Sequence, residues 1–172
     1  MKVDAISSVI LQMIIRPLKA NEVDKLLVLW KEFMNDPSAI DGPLIIADDE
    51  NTGKMREFVG KLVAEEPRQV LVAEEGGELV GYLIFQKQAK MALRTIRQWG
   101  YISDLYVDPS FRSRGIGKAL LKRCLAELES LGVSHVRLNV WSENHRAMRL
   151  YKESGFREYL VLMEAALSKK VQ

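Results

Sequence analysis

The chain has 172 residues, 48% of them hydrophobic and 28% charged, with a net charge of +2. That is one domain's length with enough apolar side chains for a core, and the near-neutral balance argues against a nucleic-acid binder held by overall charge. The one cysteine, Cys124, excludes an internal disulfide, and the apolar run from Val9 to Ile15, interrupted by Gln12, is far too short to span a bilayer. An early Asp4 and the lack of a small-residue cleavage site speak against a signal peptide, so the expectation is a cytoplasmic protein without membrane or nucleic-acid partners.

Residues 12–17 read as a first strand, with 1–11 an N-terminal extension. Asn21 is a fitting N-cap for a helix whose Val23, Leu26, Leu27, Trp30 and Phe33 or Met34 recur at helical spacing. Residues 36–50 carry five acidic groups between Pro37 and Pro43 and beyond; they read as a loop that could recruit a cationic amine or simply be solvated surface. A second helix over about 52–65 places Met55, Phe58, Val59, Leu62 and Val63 on one face, and Pro67 ends the region. Strands over 69–75 and 79–87 flank Glu75-Gly76-Gly77-Glu78, a hairpin signal. Residues 88–98 form a basic connection.

The next strand runs from Tyr101 to Val107 and is closed by Asp108-Pro109. A helix from about Gly115 to Leu131 turns Leu121, Cys124, Leu125 and Leu128 inward, with Gly132 at its C′ position. His135 to Trp141 is a strand, Asn144 to Ser154 a short helix ending at Gly155, and 157–164 a final strand. Strands interrupted by helices imply an α/β fold with a mixed sheet. No repeat or linker divides it, and 165–172 is left as a tail.

The stretch Asp104-Leu-Tyr-Val-Asp-Pro-Ser-Phe-Arg-Ser-Arg-Gly-Ile-Gly-Lys118 holds the chemistry. A strand ends, a loop turns, and glycines open an amphipathic helix. The first backbone N–H groups of a helix lack intrahelical acceptors, and the helix dipole adds about half a positive charge there. Gly115 and Gly117 let a phosphate approach the backbone, and Arg112, Arg114 and Lys118 add full charges. A P-loop would need glycine in place of Arg112 and Ser or Thr in place of Ala119; a dinucleotide fingerprint would need glycine in place of Leu120. The stretch is left as either a pyrophosphate cradle that needs no metal or a glycine-rich helix start with basic decoration.

Arg112-Ser-Arg-Gly-Ile-Gly117 resembles the R/Q-x-x-G-x-G/A motif of the GNAT superfamily of N-acetyltransferases, and it follows a strand and opens a helix as that motif does. Asn144-His-Arg-Ala147 and Leu150-Tyr-Lys-Glu-Ser-Gly-Phe156 resemble the family's second signature. The resemblance implies a single GNAT domain over 12–164, with a mixed sheet of about six to seven strands flanked by about four helices. It implies acetyl-CoA as cosubstrate, with the pyrophosphate on Arg112, Ser113, Arg114, Gly115, Ile116, Gly117 and Lys118. It further implies that the pantetheine lies along Leu105, Tyr106 and Val107, that the strands 101–107 and 135–141 splay apart to admit the thioester, that Asn144 contacts the cofactor, and that Tyr151 protonates the departing thiolate. Residues 101–107 also resemble the strand of spermidine/spermine acetyltransferases, which carry Glu where this chain has Ser103.

The implied reaction is direct acetyl transfer, through a ternary complex, to a primary amine on a small molecule, a polyamine, a protein N-terminus or a lysine. A lysine-like amine with a pKa of about 10.4 is protonated near pH 7 and needs a base. Asp104 is the candidate: strict alternation would set it with Ile102 and Tyr106, opposite Ser103 and Leu105. A carboxylate on an apolar strand reads either as that base or as a structural or substrate-orienting acid. Apart from the motif, Tyr151 would read as a core aromatic. His135, His145 and Cys124 show no metal-ligand or nucleophile spacing, so no metal is expected. A homodimer is possible. Two alternatives stand beside the enzyme: a non-catalytic acetyl-CoA sensor acting through a protein partner, and a nucleic-acid binder built on the basic stretch Lys87 to Arg97, which lacks any reader motif.

Overall fold

Five strands and four helices alternate along the chain in a computed structural model that describes residues 13–37, 47–65, 67, 69–89 and 98–163. The strands are β1 (Ile14–Pro17), β2 (Val70–Glu75), β3 (Glu78–Ala89), β4 (Gln98–Val107) and β5 (Val136–Leu138). They form one sheet in sequence order, antiparallel from β1 through β4 and parallel between β4 and β5. The helices are α1 (Val23–Met34), α2 (Asp49–Ala64), α3 (Ile116–Ser130) and α4 (His145–Glu153). A parallel neighbour needs a crossover, and α3 supplies it.

Both faces of the sheet are covered, which is why β2 and β3 read as nearly continuous apolar runs. Leu71, Ala73, Leu83, Phe85 and Ile102 meet Ile116, Leu120, Leu121, Cys124 and Leu128 from α3. Their alternates Val70, Val72, Tyr82, Ile84 and Tyr106 meet Leu26, Leu29, Trp30, Val59 and Leu62 from α1 and α2. Each such side chain, fully buried, is worth about 1.5–3 kcal/mol of transfer free energy. Gly100 sets how closely α3 sits: a Cβ there would lie 2.6 Å from the Leu128 side chain.

Local signals explain the element ends. Gly76 and Gly77 take φ of 63° and 85°, the left-handed pair that a two-residue hairpin turn requires. At the end of α3, Gly132 has φ 73°, its N–H reaches the Glu129 carbonyl, and the Val133 N–H reaches the Leu128 carbonyl, a full Schellman motif. The second helix starts earlier than its apolar spacing suggested. The Asp48 side chain accepts from the Asn51 N–H at 2.7 Å, and Asp49 and Glu50 occupy the first turn, where the dipole favours acids. Part of the acidic loop is therefore a helix start; residues 38–46 of that loop lie outside the described residues.

Other expectations need correction. The sheet has five strands among the described residues, not six to seven. The strand expected at 135–141 is reduced to Val136–Leu138. Residues 157–163 of the expected final strand lie in no strand, and Leu160 and Leu162 are 85% and 95% exposed. A three-residue β5 offers little ladder for a further strand to join. The basic connection at 88–98 is partly absorbed by the ends of β3 and β4, and residues 90–97, like 1–12 and 164–172, lie outside the described residues.

The facing of β4 also differs. Ile84 pairs with Asp104 but Phe85 pairs with Ile102, so Ser103 is the extra residue of a β-bulge. Ile102 thereby turns to the α3 face, while Asp104 stays with Tyr106 on the face toward α1 and α2.

Candidate active site

The bulge and the loop after β4 lie at two ends of one short stretch, and the site is built from them. The loop leaves β4 through a 3-10 turn at Pro109–Phe111, capped by the Asp108 carboxylate accepting from the Ser110 N–H at 2.7 Å. Ser113 has φ 63°, a left-handed conformation unusual outside glycine, and Gly115 has φ 81°. Alternation of right- and left-handed residues turns successive N–H groups into one concavity that suits an anion. Strain of this kind, held by its surroundings, is a mark of functional loops. Gly115 directly precedes α3, so the concavity opens onto the helix N-terminus.

The cations around this concavity are held differently from one another. Arg112 points under the end of β4. Its Nε donates to the Val107 carbonyl at 2.8 Å, its guanidinium pairs with Asp36, and it lies 5.5 Å from the Tyr106 ring centroid. Arg114 pairs with Glu75 at 2.6 Å and lies over Phe111. Lys118 is exposed on the first turn of α3. The residues present fit a pyrophosphate: a backbone concavity, a helix start and two arginines fixed beside it.

Between the loop and the bulge, β4 has an open edge. Its pairing with β5 runs from Gly100 to Ile102 against Val136 to Leu138 and ends there. Along Ser103 to Val107 no strand among the described residues takes the groups on that side. Asn144 caps α4, its side-chain oxygen accepting from the Ala147 N–H at 3.0 Å. Tyr151 follows on the same helix, half-buried against the α3-side core with Phe156 at 5.8 Å between ring centroids. Burial, and secondarily the Asp104 carboxylate, push its hydroxyl up to about 12, so it stays a neutral donor. Asp104 is half-buried on β4. Burial lifts its carboxyl to about 6, against a weaker downward pull from Ser103. Asp104 thus stands near enough for its charge to act on the Tyr151 hydroxyl.

Four residues of this neighbourhood carried no separate signal in the sequence. Tyr82 on β3 is fully buried, and its hydroxyl is well above the usual phenol range through burial first and Asp104 second. Asp36 and Glu75 hold Arg112 and Arg114. Arg146, on α4, is shifted downward by burial and by its nearness to Arg112. The hairpin flank at Glu75, the acidic loop at Asp36 and the Asn144 to Ala147 stretch around Arg146 hinted at their positions; Tyr82 had no such hint.

Other candidates stay outside the site. Cys124 is buried in the core, and burial raises its thiol far above the reactive range. His135 lies on the surface beside Ser134, and the exposed His145 lies 3.9 Å from Glu143. Among the described residues no group of three or more His, Cys, Asp or Glu could hold a metal ion, and no helix is long and apolar enough to cross a membrane.

The chain is similar to several known proteins. The mycothiol acetyltransferase of Propionibacterium freudenreichii subsp. shermanii is 36% identical over 92 residues, 53% of this chain and 28% of that protein. The [ribosomal protein bS18]-alanine N-acetyltransferase of Escherichia coli K12 is 37% identical over 83 residues, 45% of this chain and 56% of that one. The chain therefore matches less than two thirds of the length of either relative. Its fold is that of the aminoglycoside N-acetyltransferase AAC(6')-Iy, solved with CoA, with a TM-score of 0.72 at 16% identity over 91% of this chain and 95% of the other. The BH1408 protein of Bacillus halodurans superposes with a TM-score of 0.70 at 23% identity, covering 90% and 99% of the two chains. The Acetyltransferase (GNAT) family matches residues 27–156, from within α1 through α2, the bulged β4, the 112–118 loop and α3 to the end of α4. The chain belongs to that family.

Proposed function

We propose that the protein is an acetyl-CoA-dependent N-acetyltransferase that passes the acetyl group directly to a primary amine in a ternary complex. The observation that supports it most is the nearness of a burial-raised Asp104 to a neutral Tyr151 by the stretch of β4 that β5 leaves open, beside the 112–118 loop. A group titrating near 6 is mostly ionised at pH 7 yet basic enough to accept a proton from an ammonium. A neutral tyrosine opposite it can donate to a thiolate, whose pKa lies near 8.5. The backbone N–H groups of β4 that β5 leaves unpaired are suited to receive the pantetheine along Leu105, Tyr106 and Val107, and one of them can hold the developing oxyanion. The 112–118 loop and Asn144 would hold the cofactor's other end.

The proton count closes. An ammonium loses one proton to Asp104 before attack and a second after it. Tyr151 gives its proton to sulfur and regains one, and Asp104 returns its proton to water. The acceptor is a small amine or polyamine, or a protein N-terminus or lysine; the relatives include enzymes named for mycothiol, for a ribosomal-protein alanine and for aminoglycosides. Assembly as a cytoplasmic homodimer belongs to the same reading, with the exposed apolar residues 159–163 as the surface that would support it.

An acceptor panel scored by release of free coenzyme A tests the activity. Turnover with an amine supports it. Tight acetyl-CoA binding without turnover on any amine supports the sensor reading instead. Calorimetry in EDTA should show cofactor binding, and strict metal dependence would count against the loop's role.

A further inference from the structure

Tyr82 sits on β3 with none of its surface exposed, and among the described residues its hydroxyl has no hydrogen-bond partner. A buried donor left unpaired destabilises a fold, and folded proteins rarely keep one without a use. Its position suggests the use. Tyr82 pairs across the sheet with Tyr106, and Ile84, two residues on, pairs with Asp104. All lie on the face toward α1 and α2, so Tyr82 and Asp104 are diagonal neighbours, about 7–8 Å apart at the backbone and within reach of a tyrosine side chain. The register is unbroken from Tyr82 to Ile84 and shifts only beyond Asp104, at Ser103, so the two residues share one regular stretch of ladder.

We propose that the Tyr82 hydroxyl is a positioning group for acetyl transfer: it fixes a water beside Asp104, and the acceptor ammonium passes its proton through that water to the carboxylate. The inference rests on the acetyltransferase reading above. A bound water needs two to four polar partners, and here it has three: the phenol, the carboxylate and the ammonium. The ammonium N–H bond breaks as a water O–H bond forms, and the water's other O–H breaks as the Asp104 O–H forms. Tyr82 gains and loses no proton, consistent with a hydroxyl held far from ionisation by burial. The other titratable and charged groups around the pair are Tyr106 on β4, Tyr151 on α4 and, beyond Tyr106, Glu32 on α1 with Asp36, Asp108 and Arg112. Tyr106 and Tyr151 stay neutral, so among the groups nearest the proposed water it is Asp104, lifted to about 6, that takes up the proton.

Tyr82→Phe tests this, because it removes one oxygen and keeps the ring. With a primary amine at pH 7, kcat/KM should fall about 10- to 100-fold, and the deficit should close as pH approaches the amine's own pKa of about 10.4, where no proton need be removed. Acetyl-CoA affinity should hold and the melting temperature should not drop, since the lost hydroxyl had no structural partner. A purely structural Tyr82 predicts the opposite: a lower melting temperature and a pH-independent deficit.

A second measurement does not depend on turnover. The Asp104 carboxyl is titrated by carbon-13 NMR in the wild type and in Tyr82→Phe, with Asp104→Asn assigning the resonance. Loss of the hydroxyl should move its midpoint up by roughly half a pH unit, as a donor to the charged form is removed. An unmoved midpoint overturns the link between Tyr82 and Asp104 even if amines are acetylated. If no amine is acetylated, the functional reading fails while this titration still decides the link.

Discussion

The two ends of the β4 stretch treat charge in opposite ways. In the 112–118 loop, Arg112 and Arg114 are each held by an acid, Asp36 and Glu75, from a distant part of the chain. At the bulge, Asp104 has no cation among the influences on its carboxyl, and burial alone lifts it. On the proposed function the loop presents fixed positive charge to an anion that arrives and leaves, and paired groups set that geometry in advance. The strand must hold a group whose proton affinity is matched to its task, and removing water is the way to raise a carboxylate. Position is secured by partners, reactivity by their absence.

Breaking the reactive end should give the largest effects. Tyr151→Phe keeps the ring against Phe156 and removes the hydroxyl, so kcat should fall about 10²–10⁴-fold with acetyl-CoA affinity little changed. A core tyrosine without a chemical role would instead lose about 1 kcal/mol of stability and keep its turnover. Asp104→Asn should lower kcat/KM near pH 7 by about 10²-fold and remove an acid limb centred near 6 from the pH profile. The same substitution should raise stability. A carboxyl lifted above its unfolded value of about 3.8 imposes no penalty below that pH. The penalty grows as pH rises toward the folded value and is complete above it. At pH 8 the asparagine variant should therefore gain up to about 3 kcal/mol, read by denaturant unfolding at pH 4 and 8. A variant less stable than wild type at both pH values would mean that Asp104 has a structural partner.

Sequence made the paired end legible and left the reactive end half-hidden, for physical reasons. The Gly76-Gly77 turn, the Gly132 helix end and the Arg112 to Gly117 loop are encoded by neighbours in the chain, so spacing alone reveals them. The resemblance of Leu150 to Phe156 then pointed to Tyr151. The bulge at Ser103 arises from the register of two strands, and strict alternation put Ile102 on the wrong face. Tyr82 looks like any core tyrosine until its unpartnered hydroxyl is seen. Asp36 and Arg112 are 76 residues apart, so neither one's local sequence shows the pair. The final strand was misjudged because the apolar run at 159–163 was read without knowing that β5 would be only three residues long.

At the paired end the effects should be smaller and of a different kind. For Gly115→Val, the added Cβ meets no protein atom within 4 Å, so nothing in the protein itself crowds it. The constraint is the backbone, whose φ of 81° costs an L-residue about 1–2 kcal/mol. The valine should thus weaken acetyl-CoA binding about tenfold or more by deforming the concavity, with a modest fall in melting temperature. A side chain tolerated in both measurements would show that the loop reforms around it.

Glu75→Gln should have the smallest effect, and its sign is informative. The Glu75 side chain is 10% exposed, Arg114 is 49% exposed, and one Glu75 oxygen is buried without a partner among the described residues. A pair so open on the arginine side is worth about 0–1 kcal/mol, so losing the charge should cost little stability. The amide keeps an oxygen for Arg114 and gains N–H donors, although the orphaned position is an acceptor's, not a donor's. What changes most is the field at the loop: with the acid neutralised, Arg114 offers its full charge to the pyrophosphate. Acetyl-CoA affinity at low salt should rise about two- to fivefold, and the gain should fade as added salt screens it. Tighter binding that salt erases would show that Glu75 tempers the loop's charge while fixing Arg114. Weaker binding at every salt concentration would show that position matters more than charge, and that the acid is needed to hold the arginine where the phosphate arrives.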